Sequence, residues 1–161
     1  MGKRKNLSDI KIVLTDVDGV LTDGGMYYNE KGDIMKKFHA RDGMGVTLLR
    51  NKGIHTILVT KEKTLIVKQW AKNMKIEKLL DGILQKELIL EQICNEYRIT
   101  PKQIVFIGDD VNDIELMKKV GFSASPNDAS EQTKLVCNYI CRNNGGHGAF
   151  RELADLILTD I

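Results

Sequence analysis

No stretch of the 161-residue sequence is apolar for long enough to cross a bilayer, and nothing near its start has the apolar h-region of a secretory leader. The expectation is a cytoplasmic chain without a membrane segment. Cysteine is scarce, and Cys94, Cys137 and Cys141 make an odd number. Cys137 and Cys141 stand four apart with no second Cys or His pair to complete a zinc site, so buried, reduced thiols are expected instead. Charge of one sign is also lacking. A formal net charge of +2 gives no electrostatic footprint for nucleic acid or a membrane surface. The one basic cluster, Lys3-Arg4-Lys5, reads as a solvated terminus. Repeats, low-complexity tracts and linkers are missing as well, so residues 1–161 are expected to form a single domain.

What is present alternates. Short β-branched apolar runs at residues 10–14 (IKIVL), 56–59 (TILV) and 104–107 (IVFI) each end abruptly in polar residues, the pattern of a buried strand. Between them the spacing is helical. Val46, Leu48 and Leu49 precede a Lys52-Gly53 stop; Ile66, Val67, Trp70 and Met74 follow; then Leu88, Ile89, Ile93 and Tyr97, before Thr100-Pro101 breaks the chain. Strands alternating with helices predict an α/β fold: three layers, doubly wound, with a mainly parallel sheet covered on both faces. One segment departs from the alternation. Residues 24–39 hold two short runs around Asn29-Glu30-Lys31-Gly32, a hairpin insertion too small to be a cap domain.

Ligands of such sheets bind beyond the carboxyl ends of the strands, which directs attention to the residues there. Asp16 and Asp18 form a D-x-D followed by Gly19, which permits a tight turn. Thr60 ends the second run, and Gly108-Asp109-Asp110 with Asp113 follows the third. Several carboxylates in one crevice repel one another unless a cation sits among them, and hard oxygen donors suit Mg²⁺. Any one of these aspartates alone would pass as a turn or cap residue; the recurrence at separate strand ends is what points to chemistry.

At these residues the sequence resembles the haloacid dehalogenase superfamily of phosphotransferases. Asp16-Val17-Asp18-Gly19-Val20-Leu21-Thr22 matches its first motif, Thr60 its second, Lys86 its third and Gly108-Asp109-Asp110 with Asp113 its fourth. The resemblance implies that Asp16 attacks phosphorus, that Asp18 is the acid and base, and that Thr60 and Lys86 bind the phosphoryl group. It implies Mg²⁺ held by Asp16, the main-chain carbonyl of Asp18, and Asp109, with Asp110 and Asp113 behind them and Asp113 orienting Lys86. Receiver-type signalling domains share the acidic cluster, Thr and Lys but lack a carboxylate at the position of Asp18. That residue argues for turnover over a phospho-accepting or scaffolding role.

The resemblance narrows to one branch. Gly24-Gly25-Met26-Tyr27-Tyr28, Lys37-Phe38, Arg41-Asp42-Gly43-Met44-Gly45 and residues 145–152 (GGHGAFRE) look like the capless, tetrameric phosphatases of 3-deoxy-2-keto sugar acids. This group covers octulosonate 8-phosphate and nonulosonate 9-phosphate (KDN, sialic acid) enzymes. It implies a homotetramer in which neighbouring subunits complete each site, serving lipopolysaccharide or sialic-acid-type pathways. There are departures. Thr60 is followed by Lys61-Glu62-Lys63-Thr64, where octulosonate enzymes have Gly-Arg, and His147 stands where the late loop has Arg or Glu. Glu62-Lys63-Thr64 resembles the nonulosonate enzymes and inclines the reading towards a nonulosonate 9-phosphate, with Glu62, Lys63 and His147 as substrate-facing candidates. A broad-specificity small-molecule phosphatase is the alternative.

Overall fold

Ile12, Val13, Leu14 and Thr15 are all buried and form β1 (Ile12–Thr15), the strand from which the sheet grows in both directions. The computed structural model describes residues 7–160, so Lys3-Arg4-Lys5 lies outside the described residues. Next come a hairpin of β2 (Tyr27–Asn29) and β3 (Gly32–Met35), then helix α1 (Ala40–Asn51), β4 (His55–Val59), α2 (Leu65–Met74) and β5 (Lys78–Leu80). The second half continues with α3 (Leu90–Tyr97), β6 (Ile104–Ile107), α4 (Ile114–Lys119), β7 (Phe122–Ser125), α5 (Glu131–Val136), β8 (Tyr139–Ile140) and α6 (Ala149–Thr159).

Six strands make one parallel sheet in the order β5-β4-β1-β6-β7-β8. Because successive side chains on a strand face opposite ways, the sheet feeds two cores. Val13, Leu58, Val105, Ile107 and Ala124 face one, packed under α1, α2 and α6 through Val46, Leu49, Val67, Leu153 and Ile157. Ile12, Leu14, Ile57, Val59, Ile104 and Phe106 face the other, packed on α3 and α4 through Leu90, Ile93, Leu116 and Met117. This is the three-layer, doubly wound α/β arrangement expected. Among the described residues no cap domain interrupts it, and only the β2–β3 hairpin stands between β1 and α1.

Chain direction fixes where a ligand fits. From β1 the chain moves outward through β4 to β5, then returns to β6 on the other flank and moves out to β8. The switch lies between β1 and β6, and a crevice opens where their carboxyl ends part. Asp16 and Gly108 are the residues that follow those two ends. The hairpin leaves this region at Thr22 and returns at Phe38, which pair across an antiparallel bridge. Phe38 also stacks on Trp70 of α2, with ring centroids 4.7 Å apart, which fixes the hairpin's exit to the body of the protein.

Cys94, Cys137 and Cys141 are free thiols; Cys141 is buried and the other two are half-buried. No helix among the described residues is long and apolar enough to cross a membrane.

Candidate active site

Asp16 leaves β1 with its N–H donated to the Ile107 carbonyl at 3.0 Å, so the backbone of one strand end is tied to the other. Its Oδ1 accepts the Val17 N–H at 2.7 Å and lies 2.9 Å from Lys86 Nζ. Lys86 opens a short 3₁₀ turn (Lys86–Ile89) and is completely buried, its ammonium shared between Asp16 and Asp113 Oδ1, the latter at 2.7 Å. A lysine without solvent survives charged only with such partners. Burial acts to lower its pKa, and the two carboxylates outweigh that and hold it above its ordinary value.

Asp113 is saturated. Its Oδ2 accepts the N–H of Asp109 at 2.8 Å and of Asp110 at 3.3 Å, closing a capping box with Asp110, whose own carboxylate accepts the Val111 N–H. Asp113 therefore holds Lys86 and shapes the loop after β6. Asp109 is different: it is held beside Asp16 and Asp113 with one oxygen from each of the three within 4.8 Å of the others. Burial, then the Asp16 and Asp113 charges, lift Asp109 to about 8. Burial and the Asp113 charge lift Asp16 to about 6 against the pull of Lys86.

Around Asp16, the carboxyl groups of Asp109, Asp110 and Asp113 share only the Lys86 ammonium, which leaves this cluster short of positive charge. The donor set is all oxygen, and Asp16 and Asp109, the two raised carboxylates, lie within reach of a shared ion. These residues fit a hard divalent cation such as Mg²⁺. Gly19 is needed for the approach: it sits at φ +84°, and a Cβ there would collide with the Asp109 carboxylate.

The surrounding cavity, of about 260 Å³, is lined by Asp16, Asp18, Thr60, Lys86, Asp109 and Asp110 among others, so these expected site residues share one hollow. Thr60 is nearly buried, its Oγ1 accepting the Glu62 N–H at 3.3 Å. Lys61 and Glu62 also line the hollow. Lys63 does not; it lies against Gly82. His147 is apart too, in a second hollow with Arg41, Asn143 and Arg151, its Nε2 3.4 Å from Lys37 Nζ. The Gly145-Gly146 pair before it packs on the first motif: Gly146 N–H donates to the Val20 carbonyl at 2.9 Å, and a Cβ on Gly145 would strike the Gly19 carbonyl.

Two residues here were not legible in the sequence. Lys36, just past β3, places Nζ 2.7 Å from Asp18 Oδ1 and 2.9 Å from Asp33 Oδ2. They lie too far along the chain from Asp18 for any local spacing to connect them.

A switch-point crevice with a D-x-D turn, a buried lysine and an acidic cluster defines a hydrolase built for phosphoryl chemistry. A profile of the haloacid dehalogenase-like hydrolases matches residues 62–153, and the chain belongs to that family. The 3-deoxy-D-manno-octulosonate 8-phosphate phosphatase of Haemophilus influenzae is 34% identical over 96% of this chain and 86% of its own length. The protein of that name from Escherichia coli is 33% identical over 98% of this chain and 82% of its own. Among solved structures, the Moraxella catarrhalis phosphatase of that name, in complex with magnesium, phosphate and KDO, superposes with a TM-score of 0.92 at 34% identity, covering 96% of this chain and 89% of that one.

Proposed function

We propose that this protein is a Mg²⁺-dependent phosphatase of 3-deoxy-D-manno-octulosonate 8-phosphate. The observation that carries the reading is the Asp16–Lys86–Asp113 chain beside Asp109 and Asp18 in one hollow, together with relatives of this name covering almost the whole sequence. Those names move the substrate from the nonulosonate 9-phosphate favoured by Glu62-Lys63-Thr64 to the octulosonate 8-phosphate. Residues 1–161 act as one phosphatase domain, and its free thiols suit a cytoplasmic setting.

Asp16 attacks phosphorus through its free Oδ2 while Lys86 holds Oδ1. The bond from phosphorus to the sugar oxygen breaks, and Asp18 protonates that oxygen as it leaves. Water then attacks the aspartyl-phosphate, its proton passes to Asp18, and inorganic phosphate departs with Asp16 restored as a carboxylate. Thr60 and Lys86 donate to the phosphoryl oxygens throughout. A bound Mg²⁺, held by Asp16, the Asp18 main-chain carbonyl and Asp109, supplies the positive charge the site lacks. Asp110 and Asp113 hold the loop behind these groups, and Glu62 faces the substrate from the rim.

The hollow is open, and one chain leaves much of a sugar acid uncovered. Met26, Tyr28, Ile34 and Met35 of the hairpin are exposed, which supports a homotetramer whose subunits wall each other's sites; Lys63 and His147 contribute only in that assembly. The test is phosphate release with Mg²⁺ from octulosonate 8-phosphate, several nonulosonate 9-phosphates and hexose phosphates. The octulosonate ester should exceed the hexose phosphates in kcat/KM by about a hundredfold or more, the scale that a pocket's polar contacts deliver. Equal rates on all esters would reduce the protein to a broad-specificity phosphatase.

A further inference from the structure

We propose that Lys36 is the positioning residue of Asp18: anchored by Asp33, it holds the Asp18 carboxylate in place, so the hairpin sets the aim of the acid/base group. This rests on the reading of Asp18 as the acid and base. The Lys36–Asp18 contact of 2.7 Å is the shortest that carboxylate makes among the described residues; the alternative partner, Thr22 Oγ1, is 3.5 Å away. Thr22 Oγ1 also accepts the N–H groups of Gly19 at 3.3 Å and Gly24 at 3.2 Å, so its hydroxyl serves the turn as well as the longer contact to Asp18.

A surface lysine would extend its ammonium into water. Here the Lys36 side chain is 3% exposed and that of Asp18 is 32% exposed, so the cation lies under the carboxylate it holds. Asp33, its side chain 9% exposed, takes the other side of the ammonium, and its second oxygen is buried with no hydrogen-bond partner among the described residues. A carboxylate in that state is tolerated when the ion pair it makes matters to the fold or to the site. The Thr22–Phe38 bridge and the Phe38–Trp70 stack then fix the chain two residues beyond Lys36. Asp18 is thus aimed by a triad, Asp33–Lys36–Asp18, that starts outside the sheet.

A residue acting through Asp18 affects the steps that need its proton and spares the one that does not. The phenolate of 4-nitrophenyl phosphate leaves without protonation; the alkoxide of a sugar phosphate does not. Rapid-quench measurement of both substrates with Mg²⁺ separates these steps. Lys36→Met should form phosphoenzyme from the aryl ester within about threefold of the parent, while alkyl-ester turnover and phosphoenzyme breakdown slow roughly 10- to 100-fold with little change in KM. Lys36→Arg should recover most of the loss. Asp18→Asn, run alongside, should show the same asymmetry more severely. If Asp18→Asn turns over normally, the reading of Asp18 falls, and this proposal with it. If Asp18→Asn shows the asymmetry and Lys36→Met does not, or Lys36→Met slows every step equally, the positioning role alone is overturned. Should Lys36→Met fail to fold, Asp33→Asn is judged by the same asymmetry.

Discussion

If Asp109 is a ligand of Mg²⁺ as proposed, it is the residue whose protonation should change most when the cation binds. With burial and two neighbouring carboxylates raising it to about 8, the metal-free site holds a proton at neutral pH that Mg²⁺ must displace, while Asp16, raised to about 6, is mostly ionised there. The sign follows: below about 8 protons compete, so Mg²⁺ affinity rises with pH between about 6 and 8 and levels off above. Calorimetry in two buffers of different ionisation enthalpy should find close to one proton released per Mg²⁺ near pH 7. An affinity flat across that range would remove Asp109 from the ligand set. This electrostatic knot was partly legible in the sequence, since D-x-D-G and Gly-Asp-Asp announce themselves after apolar runs. The division of labour within it came only through the family resemblance, which put Asp109 at the cation and Asp113 behind Lys86. As letters the two look equivalent, and the loop geometry adds that backbone N–H groups and Lys86 occupy the Asp113 carboxylate.

Between elements, the contact that stands out is α1 against α6. Asp42 of α1 is fully buried, and its Oδ1 accepts the Arg151 N–H in the first turn of α6 at 2.8 Å, while Oδ2 has no hydrogen-bond partner among the described residues. Burial raises its pKa from 3.8 to about 6 despite that hydrogen bond. An acid with a raised folded pKa contributes fully below about 4, where both states are protonated, and stability falls as pH rises through about 6. The loss amounts to about 1–3 kcal/mol at ~1.4 kcal/mol per unit, the lower end allowing for the helix N-terminus. Asp42→Asn should therefore raise the melting temperature by several degrees at pH 7.5 and leave it unchanged near pH 4, as read by thermal denaturation; an equal effect at both values would refute the burial argument. Apolar spacing marked α1 only from Val46, whereas the helix starts at Ala40, where His39 Nδ1 accepts the Arg41 N–H. Its buried face includes Asp42, Gly43 and Gly45, which carry no apolar signal. β7 escaped notice for a similar reason: Phe122-Ser123-Ala124-Ser125 is wholly buried, yet half of it is serine, with Ser123 N–H and Oγ both directed at Asn138 Oδ1. The central strands were legible because each is a continuous buried run rich in β-branched residues; the edges β5 and β8 are short and only partly buried, with Ile140 exposed, too slight for a pattern.

At the scale of the whole molecule the hairpin is the odd part, apolar where it should be polar if it met only water. Placing a charge at its centre tests this: Ile34→Glu should shift the species seen by light scattering from a tetramer to smaller forms and weaken turnover of the sugar acid ester more than of an aryl phosphate. A parent protein that is monomeric at assay concentrations would contradict the shared-wall picture. A second long-range relation has a different reach. Gly145 and Gly146, near one end of the sequence, buttress Gly19 and Val20 near the other, and Asp16 is tied to Ile107 across the sheet. Asp16 is thus made well before the two glycines that complete its turn. Arrested nascent chains of stepwise length should stay silent towards an aryl phosphate until the segment past Gly146 has cleared the exit tunnel, and activity from shorter chains would show the brace to be dispensable. A polypeptide cut short before Gly145 would then have no means of hydrolysing phosphate esters, because the turn after Asp16 is braced only once that later segment has folded back on it.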